Sequence, residues 1–207
     1  MILYEELLNN DLQLALREGD MFFQGEGKVQ LTLRKIAQRL SEINVDYAIA
    51  GGMAMYTHGF RRYTEDVDVL VTQEGLTKLH ERLDGLGYLR PFETSKNLRD
   101  SETGVRIDFI VSGQYPGDGK PGPVCFPVPC EASVEKDGIR VVALPRLVEL
   151  KLASGQAAHR LRDLGDVQQL IQHLKLPRDF ANELNPSLRE AYDKLWLDSQ
   201  AASADEY

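Results

Sequence analysis

GGMAMYTHGFRRYTEDVDVLV, residues 51–71, combines a glycine pair with two aspartates that interrupt an apolar, strand-like run. Successive side chains of a strand point to opposite faces, so Asp66 and Asp68 share one face while the valines between them share the other. Burying two like charges is costly unless something neutralises them. The stretch therefore allows two interpretations: an exposed strand end that solvates both acids, or a cation between them.

A third acid interrupts a later strand in the same way. In GVRIDFIVSG, residues 104–113, Asp108 alternates with large apolar side chains. If the two strands are neighbours, three carboxylates converge, and they raise one another's pKa unless a divalent metal compensates. Mg²⁺, or Mn²⁺ in its place, suits such a set of oxygens. The pattern predicts Asp66, Asp68 and Asp108 as metal ligands; the alternative is three solvated strand-end acids.

The glycine pair supplies a second candidate element. The β-prone run VDYAIA, residues 45–50, leads into Gly51 and Gly52, and a short helix follows over MAMYTH. Such a turn presents backbone N–H groups to an anion with no side chain in the way. Two glycines alone are weak evidence, since a tight turn also needs glycine's backbone freedom. Joined to three strand acids, they predict a phosphate-binding turn.

Hydrophobic periodicity divides the chain into three predicted parts. We expect N-terminal helices packing on the core over 1–44, a catalytic core over 45–144, and a helical region over 145–200. In the first part, apolar residues at helical spacing predict helices over 2–18 and 28–43.

The predicted sheet is small and mixed. Strands are expected over 45–50, 66–71, 104–113 and 138–144, and the Pro- and Gly-rich residues 115–129 are expected to form a long loop. The first two strands are too close in sequence for a crossover helix, which argues against a purely parallel sheet. The expected fold class is α/β (α+β): a small mixed β-sheet flanked by helices, with a helical C-terminal part.

Composition limits the classes of protein to consider. The chain has 207 residues, 43% hydrophobic and 27% charged, with a net charge of −8. This balance argues against a broadly basic surface for duplex nucleic acid, although a local basic pocket is compatible with it. No apolar run is long enough to span a bilayer, and the acidic, amphipathic N-terminus is unlike a signal peptide. Cys125 and Cys130 are expected to be free thiols. The protein is expected to be cytoplasmic, without a membrane partner.

Together these residues resemble the nucleotidyltransferase (polymerase-beta-like) superfamily. Its members carry a Gly-Gly or Gly-Ser turn, then D-x-D, then a third acid on a later strand. Gly51-Gly52, Asp66, Asp68 and Asp108 match that pattern. Gly52 stands where many active members have serine, which removes one hydroxyl contact to the phosphates.

The fuller string is similar to the minimal bacterial branch of that superfamily. GG-x-A, then His58-Gly59, then R-x-T-x-D-x-D fits small stand-alone nucleotidyltransferases and the abortive-infection (type IV toxin–antitoxin) toxins. The resemblance covers roughly residues 45–170, because those proteins also follow the sheet with a Lys-bearing helix and an acid- and arginine-rich helix. It implies that Lys151 reaches the triphosphate; the alternative is a lysine that extends past the core to water.

Other charged residues allow two interpretations each. Arg62 is predicted to balance phosphate charge together with Lys151, whereas Arg61 and Arg62 can equally pair with Glu65 and the nearby aspartates. Thr64 is expected to brace the strand and His58 is not expected to act as a base. A structural salt-bridge set is expected on a later helix, formed by Arg160, Arg162, Asp163 and Asp166.

The resemblance implies metal-dependent transfer of a nucleoside monophosphate from an NTP to an acceptor hydroxyl, with release of pyrophosphate. Asp66 and Asp68 would hold the ions, and Asp108 would bind the catalytic metal and help activate the acceptor. That acceptor is a tRNA end, a protein or a small molecule, and a cognate antitoxin is a further expected partner.

The sequence allows two other classes of function. The first is a non-catalytic member of the same fold that binds nucleotide or a partner protein, against which the presence of all three acids counts. The second is a dinucleotide-dependent oxidoreductase, against which the missing G-x-G-x-x-G spacing and the D-x-D count.

Overall fold

The computed structural model describes residues 3–204, which form two compact units. The first unit comprises residues 3–57, 61–112 and 128–142, and the second comprises 58–60, 113–127 and 143–204. The helices of the first unit are α1 (Tyr4–Asn10), α2 (Leu12–Gln24), α3 (Lys28–Glu42), α4 (Gly51–Thr57), α5 (Gln73–Leu83) and α6 (Pro129–Ala132). Its strands are β1 (Tyr47–Ile49), β2 (Asp66–Val71), β3 (Tyr88–Leu89), β4 (Leu98–Asp100), β5 (Arg106–Val111), β6 (Ser133–Lys136) and β7 (Ile139–Val142).

All seven of these strands form one mixed sheet in the order β3-β4-β5-β2-β1-β7-β6. β2 lies between an antiparallel neighbour, β1, and a parallel neighbour, β5. β1 in turn pairs in parallel with β7, while the outer pairs on both sides are antiparallel. The sheet is therefore mixed and flanked by helices, as the close spacing of the first two strands predicted.

The core of the first unit follows the alternation along β2 and β5. Val67, Val69, Ile107 and Phe109 are fully buried, whereas the residues between them on the other face are half-buried. Alternation of this kind fixes which face of a strand is the core face.

Two features of the first unit differ from the expectation. The helix predicted over 2–18 is two helices, because the side chain of Asp11 accepts a hydrogen bond from Leu14 N (3.0 Å) and starts a new helix there; residue 2 lies outside the described residues. The short strands β3, β4 and β6 were not predicted. They have two to four residues each, too few for a hydrophobic period to show.

The second unit is helical after the Pro- and Gly-rich loop. Its helices are α7 (Leu144–Ser154), α8 (Leu161–Leu174) and α9 (Arg189–Ala204), with α8 in contact with both others. Within the region predicted to be helical, residues Arg178–Glu183 form a 3₁₀ helix. Trp196 on α9 donates from its indole nitrogen to Leu176 O at 3.0 Å, which ties α9 to the end of α8.

Within residues 3–204, no helix combines the length and the apolar character needed to cross a membrane.

Candidate active site

The three predicted acids lie together on the half-buried face of the sheet. β2 and β5 are parallel neighbours, and their register places Asp68 directly beside Asp108. Asp66 precedes Asp68 by two residues and so points to the same face. The convergence that depended on the two strands being neighbours is thus observed.

A fourth residue on this face, Arg106, was not singled out from the sequence. It pairs in register with Asp66, and its guanidinium donates to Asp66 Oδ2 from Nη2 at 3.0 Å. Its Nε lies 3.1 Å from Asp108 Oδ1 and 4.0 Å from Glu5 Oε1 of α1. The signal was available, because Arg106 precedes Asp108 by two residues and shares its face by the same alternation.

These charges shift one another's ionisation. Burial raises the pKa of the Asp108 carboxyl; Arg106 opposes this shift, and the neighbouring Asp66 adds to it. For Arg106, burial acts against the charged form, but Asp108, Asp66 and Glu5 outweigh it and raise the pKa of the guanidinium.

The glycine pair abuts the same strand. α4 begins at Gly51, and Ala50 N, just before it, donates to Asp68 O at 2.9 Å. A Cβ on Gly51 would stand 1.8 Å from Asp68 Oδ2, and one on Gly52 would stand 2.9 Å from Thr64 Cβ. The turn and the D-x-D strand are packed against each other so closely that neither position has room for a side chain.

Replacing Gly51 by alanine is expected to destabilise the protein by about 2 kcal/mol or more, because Gly51 has φ +55° and its Cβ would overlap the Asp68 carboxylate. Gly85→Ala is the matched control: Gly85 has φ +76°, but nothing lies within 4 Å of its Cβ position. Urea unfolding followed by far-UV circular dichroism measures both. Equal losses in the two variants would show that the contact with Asp68 contributes nothing.

The residues between the turn and the strand hold the loop in place. Thr64 donates from its hydroxyl to Asp66 Oδ1 at 2.7 Å, which agrees with the bracing role expected for it. Arg62 donates from Nη1 to Tyr63 O at 3.4 Å. Arg61 lies over the Tyr56 ring, 5.4 Å from its centroid. The assignment of Arg62 to a phosphate stays a prediction.

Lys151 lies on α7 in the second unit and is buried there. Its ammonium donates to Asp163 at 3.0 Å and to Asp166 at 2.6 Å, both on α8. Arg160 completes the cluster at 3.2 Å from Asp163. Burial alone would raise the pKa of Asp163, but Lys151, Ser154 and Arg160 outweigh it and hold that pKa below its ordinary value. The assignment of Lys151 to the triphosphate stays a prediction.

The donors on the sheet face suit a divalent cation by type, since three carboxylates offer the oxygen ligands that Mg²⁺ and Mn²⁺ prefer. As they stand, however, no group of three or more His, Cys, Asp or Glu side chains in residues 3–204 is arranged to hold a metal. On this face the Arg106 guanidinium bridges Asp66 and Asp108. The carboxylates fit a divalent cation by their chemical type, and two of the three are in contact with Arg106.

Comparison with known proteins identifies the fold. The sequence matches no family model and no curated protein. Among solved structures, it is similar to an antigenic nucleotidyltransferase-like protein from Paracoccidioides brasiliensis, with a TM-score of 0.51 and 16% identity over 86% of this chain and 91% of that one. The antibiotic-resistance factor ANT(2'')-Ia also matches, with a TM-score of 0.46 and 16% identity over 86% of this chain and 96% of that one.

The Paracoccidioides match shows that the chain has the nucleotidyltransferase fold, which confirms the resemblance carried by the glycine pair and the D-x-D. At 16% identity it shows the fold alone. The fold class expected from the sequence is confirmed as well. Membership of the toxin branch stays a prediction.

Proposed function

We propose that this protein is a nucleotidyltransferase that moves a nucleoside monophosphate from an NTP to an acceptor hydroxyl. One observation carries the proposal: in a chain with this fold, Asp68 lies beside Asp108 in register and in contact with the Gly51 turn. A triphosphate site needs acids that can hold divalent cations. It also needs a turn whose backbone N–H groups can approach the phosphates without side chains in the way.

Asp66, Asp68 and Asp108 are the residues that would hold the divalent cation. When bound, that cation neutralises charge on the phosphates and on the departing pyrophosphate. The backbone of Gly51 and Gly52 leaves space for phosphate oxygens to approach, because no Cβ stands in the way.

Asp108 has a second role in this proposal. The acceptor oxygen forms a bond to the α-phosphorus, the bond from that phosphorus to the bridging oxygen breaks, and pyrophosphate leaves. The hydroxyl proton passes to the Asp108 carboxylate, which lies beside Asp68 on the face that would hold the cation. Asp66 is less suited to this role because it already accepts hydrogen bonds from Thr64 and Arg106.

A labelled-nucleotide experiment tests the proposal. The protein, Mg²⁺ and each α-³²P-labelled NTP are incubated with RNA, protein and small-molecule fractions of a cell extract. We expect label in one fraction, with one pyrophosphate released for each label incorporated. The labelled fraction then decides between a tRNA end, a protein and a small molecule as acceptor. If no fraction gains label above a sample lacking enzyme, the proposal is wrong.

A non-catalytic nucleotide-binding protein is the second candidate, and Arg106 is the observation that favours it. A guanidinium that bridges Asp66 and Asp108 offsets one of their two negative charges without any metal. NTP binding in a calorimeter, without pyrophosphate release in any fraction, would support this alternative. A role as the toxin of a toxin–antitoxin pair stays a prediction under either candidate.

A further inference from the structure

The positively charged group among the site acids is a side chain of the protein, the Arg106 guanidinium. We propose that Arg106 is a resident counter-ion that must leave Asp66 and Asp108, moving towards Glu5, before a divalent cation can bind. The inference rests on the proposed function, because it concerns the same three acids. It makes Arg106 a positioning residue that sets how strongly the site takes its metal.

Arg106 and a metal ion need the same oxygens. The guanidinium lies 3.0 Å from Asp66 Oδ2 and 3.1 Å from Asp108 Oδ1. A bound Mg²⁺ approaches its oxygen ligands to about 2.1 Å. Two cations placed on the same pair of carboxylates would repel strongly in a half-buried site. Binding of one therefore excludes the other from this position.

The hold of Arg106 on the site is weak enough to be broken. Only its contact with Asp66 is a well-formed hydrogen bond. The Arg106 Nε and Asp108 Oδ1 atoms are close but lack the alignment of a hydrogen bond. The Arg106 side chain is also 41% exposed, so it has solvent beside it into which to turn.

Glu5 is the carboxylate with which the displaced Arg106 guanidinium would pair. Its Oε1 is 4.0 Å from Arg106 Nε, and its carboxylate is already fixed in place by Arg99, which lies 2.8 Å from Oε2. A turn of the Arg106 side chain would exchange both of its present partners, Asp66 and Asp108, for Glu5. The charge of Arg106 would then stay compensated while the metal takes over Asp66 and Asp108.

Metal binding can be measured without activity. Titration with Mn²⁺, followed by the electron paramagnetic resonance signal of the free ion, gives the dissociation constant for wild type and Arg106→Gln. We expect Arg106→Gln to bind Mn²⁺ about tenfold more tightly, because the metal no longer competes with an ion pair. Arg39→Gln is the matched control: it removes the same charge from an exposed pair with Glu42 on α3 and should leave the affinity close to that of wild type.

Glu5→Gln tests whether the displaced Arg106 guanidinium moves to Glu5. Without the Glu5 carboxylate the displaced guanidinium lacks its new partner, so we expect Mn²⁺ to bind more weakly than to wild type. In the Arg106→Gln background the same change should have a clearly smaller effect, because no guanidinium has to be accommodated. Equal effects of Glu5→Gln in both backgrounds would overturn the role given to Glu5.

A measurement on the wild-type protein tests the inference even if the Arg106→Gln variant does not fold. In protein labelled with ¹⁵N-arginine, the Arg106 Nε–H resonance should shift as Mg²⁺ is added, since the side chain changes partner. The outcomes separate the two proposals. Equal Mn²⁺ affinity in wild type and Arg106→Gln, with an unmoved resonance, overturns this inference alone. No binding by either protein overturns the metal site of the proposed function as well.

Discussion

Asp68→Asn is expected to lower nucleotidyl transfer about 10³-fold while the protein stays folded. Asn has nearly the shape of Asp, so the contact between this side chain and the Gly51 turn is kept. What is lost is a negative charge beside Asp108, at the centre of the face that would hold the cation. The measurement is the rate of label transfer to the acceptor, together with a Mn²⁺ titration that should show much weaker binding.

Glu135→Gln is the control for Asp68→Asn. Glu135 is an exposed strand acid on β6, at the far edge of the same sheet, and its replacement changes the net charge by the same amount. We expect its transfer rate to equal that of wild type. If Asp68→Asn also transferred label at the wild-type rate, the assignment of Asp68 to the chemistry would be wrong.

Lys151→Met is expected to destabilise the second unit by about 3 kcal/mol. Methionine can fill the space of the lysine's apolar stem, but it removes the ammonium that lies 2.6 Å from Asp166, whose side chain is only 6% exposed. Removing one partner of a buried ion pair is among the more costly changes in a protein interior. Trp196 is the only tryptophan of the chain and lies on α9, so its fluorescence during urea unfolding reports on this unit.

Two comparisons show whether the cost of Lys151→Met comes from charge. Lys194→Met removes an exposed lysine from α9 and should change stability by well under 1 kcal/mol. Adding Asp166→Asn to Lys151→Met should restore part of the loss, because one of the two carboxylates that lost the lysine ammonium is then neutral. A double variant less stable than the sum of its single changes would contradict this account.

The alternation of side chains along each strand predicted part of the site from the sequence. Period-2 spacing places Asp66 and Asp68 on one face and gives Asp108 the same phase within its own strand. Spacing alone does not say which strands are neighbours, so the pairing of Asp68 with Asp108 needed the structure. Arg106 was not predicted for another reason. A metal-ligand pattern consists of acids and contains no arginine, although the same alternation places Arg106 on the face of Asp108.

Long-range partners account for what the sequence did not indicate. From the sequence, Lys151 was expected to reach the triphosphate or to extend to water, but its ammonium donates to Asp163 and Asp166 on a different helix. The short strand β4 pairs with β5, and β3 pairs with β4. Both owe their conformation to these neighbours rather than to their own residues. Local propensity is a weak guide where the neighbouring strand decides.

The position of β2 between β1 and β5 links the alignment of the site to folding itself. A slip of β2 by one residue would turn Asp66 and Asp68 into the core and expose Val67 and Val69, so a misregistered sheet would be far too unstable to persist. A folded sheet in which a one-residue slip turns these acids into the core is therefore excluded. Selection for a stable fold and selection for an aligned site act, at this strand, on the same residues.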